Sequence, residues 1–340
     1  MSGELGVDLA SKGQVSSDGA VLLGKSCACD AHDKRPIRVV THCHMDHLMG
    51  LRESLTSCRA VLMTSATKDL LGVLRGRSIF LFNKIRTLKY GEVYRHEEEK
   101  ISLFNAGHIL GSAEVLLEDR DGSRVVYTGD FRLPEAEILE CDLLIMEATY
   151  GDPSSERPFR ILVEDAFLSL VRKELKHGPV YLFGYHGKLQ EAMEILHRGR
   201  INAPLVMPRR IYEVAKICES HGMALGEYLC LDDDEAREVM KGPYIGLYHM
   251  NQRDEIDDGH VKIYLSGWEL KEPCRNMGYG CYTVALSDHA DFNQLLEYVE
   301  RSKPKLVLVD NYRAGNAVEL AREIRCRLKI PAKAVPSRAQ

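Results

Sequence analysis

Between residues 42 and 47 the chain places three imidazoles and one carboxylate, in the run Thr41-His42-Cys43-His44-Met45-Asp46-His47. Neutral imidazole nitrogen and carboxylate oxygen are the donors that suit Zn²⁺ and related divalent ions in catalytic sites. The run follows Ile37-Arg38-Val39-Val40, so it reads as a tight turn at the mouth of a strand. Its spacing sorts the donors into two pairs, His42 with His44 and Asp46 with His47, enough for two ions.

Four later segments place a ligand or an acid–base group at a strand end or in a turn. His108 lies in Gly107-His108-Ile109-Leu110-Gly111, where flanking glycines allow a sharp turn and a close backbone approach. Asp130 ends the apolar run Val125-Val126-Tyr127-Thr128-Gly129. Glu147 follows Leu144-Ile145-Met146, and His289 sits in Leu286-Ser287-Asp288-His289-Ala290-Asp291 ahead of a helical pattern. Each is a weak signal alone. In this order, behind the His-rich turn, they describe one divided metal site.

The elements that must position these groups are short apolar runs bounded by Gly, Asp or Pro. Strands are predicted over 20–23, 37–40, 60–63, 115–117, 125–127 and 143–146, then over 179–183, 261–265 and 306–309. Apolar residues recur at helical spacing over 159–176, 188–196, 212–221, 292–301 and 317–328. Strands dominate the first half and alternate with helices afterwards, which favours a layered α/β architecture.

At 340 residues the chain is long enough for two lobes. No run approaches the roughly 18–20 apolar residues of a membrane span, and residues 1–6 show no basic-then-apolar leader, so no membrane association is expected. The ten cysteines form no CxxC pair and mostly sit in apolar runs, which favours reduced thiols and a cytoplasmic setting. A net charge of −5 does not advertise a nucleic-acid binder. Local basic clusters could still line a groove: Arg75, Arg77, Lys84, Arg86 and Lys89, then Arg198, Arg200, Arg209 and Arg210.

Together these motifs resemble the metallo-β-lactamase fold. His42-x-His44-x-Asp46-His47, His108 and Asp130 look like its successive ligand motifs, while Glu147 in MEATYG and His289 in LSDHAD resemble the two extra motifs of its β-CASP nuclease branch. The SDHAD wording and the Gly267-Trp268 step are similar to ligase-associated DNA exonucleases, relatives of the Artemis and Apollo repair nucleases. The resemblance implies an α/β fold, an αββα sandwich with an inserted β-CASP α/β domain. Its expected boundaries are 1–155 and 263–340 for the sandwich and 156–262 for the insert.

The resemblance also implies roles. His42, His44 and His108 would hold one ion, Asp46 and His47 a second, and Asp130 would bridge them. Zn²⁺ is the expected metal, as one or two ions, with Mn²⁺ or Mg²⁺ as alternatives at the second site. Two ions about 3.5–4 Å apart can activate a water and steady an in-line phosphodiester displacement. Asp46 would orient that water, Glu147 would fix His289, and His289 would protonate the leaving oxygen. Thr149, Tyr150 and Lys188 would contact substrate phosphate, the last from a helix start opened by Gly187.

Where RNA-processing relatives and many bacterial exonucleases carry a His after the strand at 306–309, this chain has Asp310, a candidate metal ligand that could supply an oxygen, leave the second site weaker or play no part in metal binding. A weak second site resembles the DNA-directed branch. That difference favours DNA over RNA as the nucleic-acid partner, and a single-strand exonuclease of DNA repair or processing as the function. The alternatives are an RNA nuclease on the same scaffold, a small-molecule metallo-hydrolase and an inactive structural homologue. An early Asp belongs to the family pattern, and Asp8 is the candidate for it, in support of the His turn.

Overall fold

The computed structural model describes residues 8–337. The chain divides into two compact units, one built from the stretches up to Glu156 and from His289 onward, the other from Arg157–Asp288.

The first unit holds two sheets. One runs in spatial order β1 (Gly13–Val15), β2 (Val21–Leu23), β3 (Cys27–Cys29), β4 (Ile37–Val39), β5 (Ala60–Met63), β6 (Ile85–Thr87). Its first two pairings are antiparallel and the remaining three parallel. The other contains β7 (Val93–His96), β8 (Glu99–Asn105), β9 (Ala113–Glu118), β10 (Arg124–Tyr127) and β11 (Leu143–Met146), extended beyond β11 by Leu306–Asp310 and Ala332–Val335, which are β19 and β20. Here β7 to β10 are antiparallel, and β10, β11, β19 and β20 run parallel.

The sheets pack face to face. Ile37, Val39 and Leu62 from the first meet Leu103, Val115, Leu117, Val125 and Ile145 from the second in one buried cluster. The two-residue alternation through β8 and β9 is the period expected when one face of a pleated strand is buried in such a core. Helices cover the outer faces. Helices α1 (Leu51–Ser57) and α2 (Ser65–Arg75) follow β4 and β5, while α7 (Phe292–Ser302) and α8 (Ala317–Glu323) lie with the second sheet. This is the expected αββα sandwich.

The second unit alternates α3 (Val163–Glu174), β12 (Val180–Gly184), α4 (Lys188–Arg198), β13 (Leu205–Met207), α5 (Arg209–Ser220), β14 (Tyr228–Cys230), α6 (Asp234–Val239) and β15 (Ile245–His249), then β16 (Val261–Leu265), β17 (Cys274–Gly278) and β18 (Cys281–Val284). These strands form one sheet in the order β14-β13-β15-β12-β16-β18-β17, parallel except at β17. Strands β16, β17 and β18 belong to this sheet because β16 pairs with β12. The expected return to the sandwich at residue 263 therefore falls inside the second sheet, and the return comes at His289.

For the site, one feature of the first unit matters most. Asp30, the His turn, Asp130, Glu147 and Asp310 all stand at the C-terminal ends of parallel strands, β3, β4, β10, β11 and β19 respectively. Strand ends of one direction gather their following turns on one rim, where ligand sites of α/β sheets form.

Candidate metal centre

Beyond β4 the chain turns through a single 3₁₀ turn, Met45–His47, which directs His42, His44 and His47 to a common point. His108 arrives from the turn after β8, where Gly107 and Gly111 have φ of +66° and +78°. A Cβ at Gly107 would lie 2.8 Å from the Arg132 carbonyl oxygen, and one at Gly111 2.7 Å from the Thr67 nitrogen. Only glycine serves at both positions. His289 is seated by two contacts: the Ala290 N–H donates to the Phe131 carbonyl at 2.6 Å, and Asp291 caps α7 at the Gln294 N–H.

One donor atom each from His42, His44, His108 and Asp130 lies within 4.8 Å of the others. Asp130 Oδ2 is the hub. It stands 3.4 Å from His47 Nε2, 3.8 Å from His42 Nε2, 3.8 Å from His108 Nε2 and 4.0 Å from His289 Nδ1. Asp46 Oδ2 lies 3.5 Å from His47 Nε2. His289 Nδ1 is 3.1 Å from Glu147 Oε2, and Glu147 Oε1 accepts the Phe131 N–H at 2.9 Å. Phe131 thus links Asp130, Glu147 and His289 through its own backbone.

The donor set fits a divalent cation. Nε2 of His42 and of His47 are buried without a well-aligned hydrogen bond, and they lie 3.8 Å and 3.4 Å from Asp130 Oδ2. Burial, reinforced by the three neighbouring imidazoles, pushes the His42 pKa well below its usual value, so its ring is neutral and ready to donate a lone pair. Burial opposes ionisation of Asp46, but the His47 side chain outweighs it and holds the carboxyl down at about 2. Burial likewise opposes ionisation of Asp130, yet His47 and the other imidazoles keep its carboxyl well below the carboxylate range. Burial opposes protonation of His47, but Asp130 and Asp30 outweigh it and raise its pKa well above the usual value, so a cation that binds there displaces the His47 proton. The lone pair of His42 and the ionised Asp46 and Asp130 already suit an N/O-liganded divalent ion.

The most informative residue of the centre was not anticipated. Asp30 follows β3, is fully buried, and accepts from His47 Nδ1 at 2.7 Å, from the Thr41 N–H and Oγ1 at 2.9 Å each, and from Tyr127 Oη at 3.0 Å. Binding Nδ1 fixes the His47 ring and leaves Nε2 as its donor atom. Asp30 does what was expected of Asp8, which is exposed at the start of a 3₁₀ turn, Leu9–Ser11, and is not brought to the site. The available signal was an Asp directly after the short run Cys27-Ala28-Cys29, the same pattern that marked Asp130. Two buried guanidiniums also grip the turn. Arg38 donates to the carbonyls of His47 and Met49 at 3.2 Å each, and Arg313 to that of Asp46 at 3.3 Å.

Three expected residues are engaged otherwise. Asp310 is buried, with Oδ2 at 2.6 Å from Arg313 Nη1 and Oδ1 accepting the Tyr312 N–H at 2.8 Å; its carboxylate is a counter-ion to Arg313 rather than a metal ligand. Tyr150 is 1% exposed and stands edge-on to the His289 ring at 6.1 Å, a wall of the site rather than an open phosphate contact. Thr149 beside it is half-buried. Lys188, in the second unit, is buried in an ion pair with Asp288 at 3.0 Å, so its ammonium is already neutralised.

Fold and site together define a metal-dependent hydrolase of the metallo-β-lactamase type. Residues 23–198, more than half of the chain, match the family model described as the beta-lactamase superfamily domain, and the chain belongs to that superfamily, in its β-CASP nuclease branch. An uncharacterized protein in the lig 3′ region of Acidianus ambivalens is 41% identical over 138 residues, which are 40% of this chain and 99% of that protein. A probable DNA ligase of Opitutus terrae is 28% identical over 310 residues, 88% of this chain but 28% of the ligase, so the chain spans little more than a quarter of that relative. An RNase J-like protein of Methanocaldococcus jannaschii is 26% identical over 363 residues, 86% of this chain and 85% of that protein. A crystal structure of a protein of unknown function from Enterococcus faecalis V583 shares the fold, with a TM-score of 0.59, 17% identity, and coverage of 91% of this chain and 82% of its own.

No helix among the described residues is long and apolar enough to cross a membrane. None of the ten cysteines is in a disulfide, and seven of them are buried.

Proposed function

We propose that the protein hydrolyses phosphodiester bonds of single-stranded DNA, as an exonuclease in DNA repair or processing, with Zn²⁺ at its centre. The observation that carries the choice of DNA is the Opitutus terrae relative, in which a segment similar to 88% of this chain is part of a probable DNA ligase. A chain segment joined to a ligase acts where DNA ends are prepared for joining. The RNase J-like relative supports the rival reading, an RNA nuclease on the same scaffold.

His42, His44, His108 and Asp130 would hold the first ion, and Asp46 and His47, with Asp130 shared, the second; Mn²⁺ or Mg²⁺ are alternatives there. Bound cations supply Lewis-acid polarisation of the phosphodiester and of the attacking water. Asp46, ionised at neutral pH and with its carboxylate 60% exposed, is the group that orients the water and accepts its proton. With Nδ1–H of His289 donated to Glu147, proton exchange with the leaving oxygen runs through Nε2. Thr149, half-buried and two residues after Glu147, is the remaining candidate for a phosphate contact. Tyr150 supports the His289 ring.

The test is direct. End-labelled single-stranded DNA and matched RNA are incubated with the purified chain and Zn²⁺, Mn²⁺ or Mg²⁺, beside an Asp46→Ala variant. Cleavage of DNA by the wild type, lost in the variant, is expected. Cleavage of RNA alone transfers the function to the rival reading, and equal cleavage by wild type and variant removes the centre from the reaction.

A further inference from the structure

The sequence from 50 to 90 carries eight Lys and Arg against Glu53 and Asp69, a net +6 within a chain of net −5. These residues build α1, α2, the 3₁₀ turn Arg77–Phe82 and β6, all in the first unit. Among the described residues, Arg52, Arg75, Arg77, Lys84 and Arg86 have no carboxylate partner. Surface arginines elsewhere are mostly paired, as in Arg120–Glu98, Arg198–Glu164, Arg209–Asp232 and Arg322–Glu319. Of the two basic clusters noted in the sequence, the later one is thus partly neutralised by its own surroundings and the earlier one is not.

The same segment contains a cleft of about 510 Å³, a size common for small-ligand sites. Its lining is mostly apolar, with Leu48, Leu51, Ile79, Leu81 and Phe82, and its charged groups are Arg52, Arg75 and one carboxylate, Glu53. Leu81 is 85% exposed there, a position that water alone does not favour. The cleft begins next to the metal centre. Leu48 is the residue after His47, and the Arg75 guanidinium packs against the sulfur of Met45 in the His turn.

We infer that this cleft binds a nucleotide of the single-stranded DNA substrate beyond the scissile bond, with a base on the Leu81–Phe82 floor and flanking phosphates on Arg52 and Arg75. An apolar, aromatic floor rimmed by unpaired cations matches a chain that alternates π-faces with phosphates. A peptide of acidic residues would satisfy the cations but not the floor. The inference rests on the proposed DNA-hydrolysing function and extends it to strand binding outside the metal centre.

The experiment measures binding of a labelled 15-nucleotide DNA strand by fluorescence anisotropy in chelator, across a salt series. The full chain is compared with an Arg52→Ser/Arg75→Ser double variant, with Leu81→Ser, and with Arg237→Ser in the second unit as control. The substituted side chains are exposed, and thermal melts check that the fold is kept. Loss of two phosphate contacts lowers the slope of log affinity against log salt by about 1.4, at roughly 0.7 per contact for single strands. Leu81→Ser is expected to weaken binding roughly 4-fold without changing the slope, about the effect of one methylene's burial. The control binds as wild type. Unchanged affinity and slope in both cleft variants overturn the inference, as does equal competition by a poly-glutamate peptide. If the wild type fails to cut DNA with added metal, the proposed function itself fails, which the cleavage assay reports separately.

Discussion

Asp30→Asn offers the sharpest test of how the centre is held. The substitution keeps size and shape but replaces one carboxylate oxygen by an amide that donates. Oδ1 accepts from the Thr41 N–H and hydroxyl, and Oδ2 from His47 Nδ1 and Tyr127 Oη. An amide nitrogen at Oδ1 would meet a backbone N–H that cannot turn away. It must sit at Oδ2, where the Tyr127 hydroxyl can rotate and His47 can change tautomer. His47 then carries its proton on Nε2, the atom that faces Asp46 and Asp130. Keeping the ligating tautomer instead sacrifices a charge-assisted hydrogen bond of about 1.5–3 kcal/mol. At about 1.4 kcal/mol per factor of ten, Zn²⁺ affinity should fall roughly 10- to 100-fold, the range found for such outer partners of metal-bound histidines. Competition against a chromogenic chelator measures that affinity, and a thermal melt of the variant confirms the fold. An Asp30→Asn chain that binds Zn²⁺ as tightly as wild type would refute the reasoning.

Two further outcomes follow from named contacts. His289→Ala should lower kcat by about 10²–10⁴-fold while the measured Zn²⁺ content stays unchanged, because His42, His44, His108 and Asp130 form a four-donor cluster without it and Glu147 engages its Nδ1. His289 also stands within ligating distance of His108 and Asp130, and loss of metal together with activity would make it a ligand. Glu114, on β9, is not one of the donors of the centre: it is buried, accepts from Tyr298 Oη at 2.6 Å on Oε2, and has no partner on Oε1. Burial raises its pKa well above the ordinary 4.5, so its contribution to stability is fully present below about pH 4.5 and is lost as pH rises through the folded value. Glu114→Gln, which cannot ionise, should therefore raise the melting temperature near pH 8 and lose that advantage as pH falls towards 4.5, a trend that melts at several pH values would show.

Much of the site was legible because metal chemistry restricts residue type. His42, His44, Asp46, His47, His108, Asp130, Glu147 and His289 were each marked by a ligand-type side chain at a strand end or turn, and the structure gathers all of them. Continuous runs of large apolar and β-branched residues were legible too: β5, β11 and β16 lie where those runs put them. What stayed hidden was local structure without periodicity. Strand β3 is Cys27-Ala28-Cys29, with no β-branched residue and too few positions to show a period. Asp30 was hidden with it, since its role depends on a partner, His47, that only the parallel pairing of β3 and β4 brings near. The boundary of the inserted unit was hidden for a similar reason. Strand β16 reads equally well as a strand of either sheet until its pairing with β12 is known.

Asp310 shows the opposite failure, a residue of the right type at the right strand end with a different partner. Whether a carboxylate serves a metal or an arginine depends on which cation reaches it, and Arg313, three residues on, is already at 2.6 Å. The pair is nearly neutral as a whole, but its guanidinium is the member that touches the Asp46 carbonyl, at 3.3 Å. A fixed positive group therefore borders the Asp46–His47 end of the centre, where like charge disfavours a further cation. At the end built from His42, His44 and His108 the three rings pack on one another and face Asp130, whose carboxylate favours a cation. The two ion positions should differ in affinity, with chelator removing the ion at Asp46 and His47 first and the other only at higher concentration. Asp310→Asn would leave the guanidinium uncompensated, weaken the second position further and lower the thermal midpoint, while the first ion is retained. Metal analysis along a chelator titration follows both. Loss of both ions in a single step, in wild type and variant alike, would mean that Arg313 has no influence on the centre.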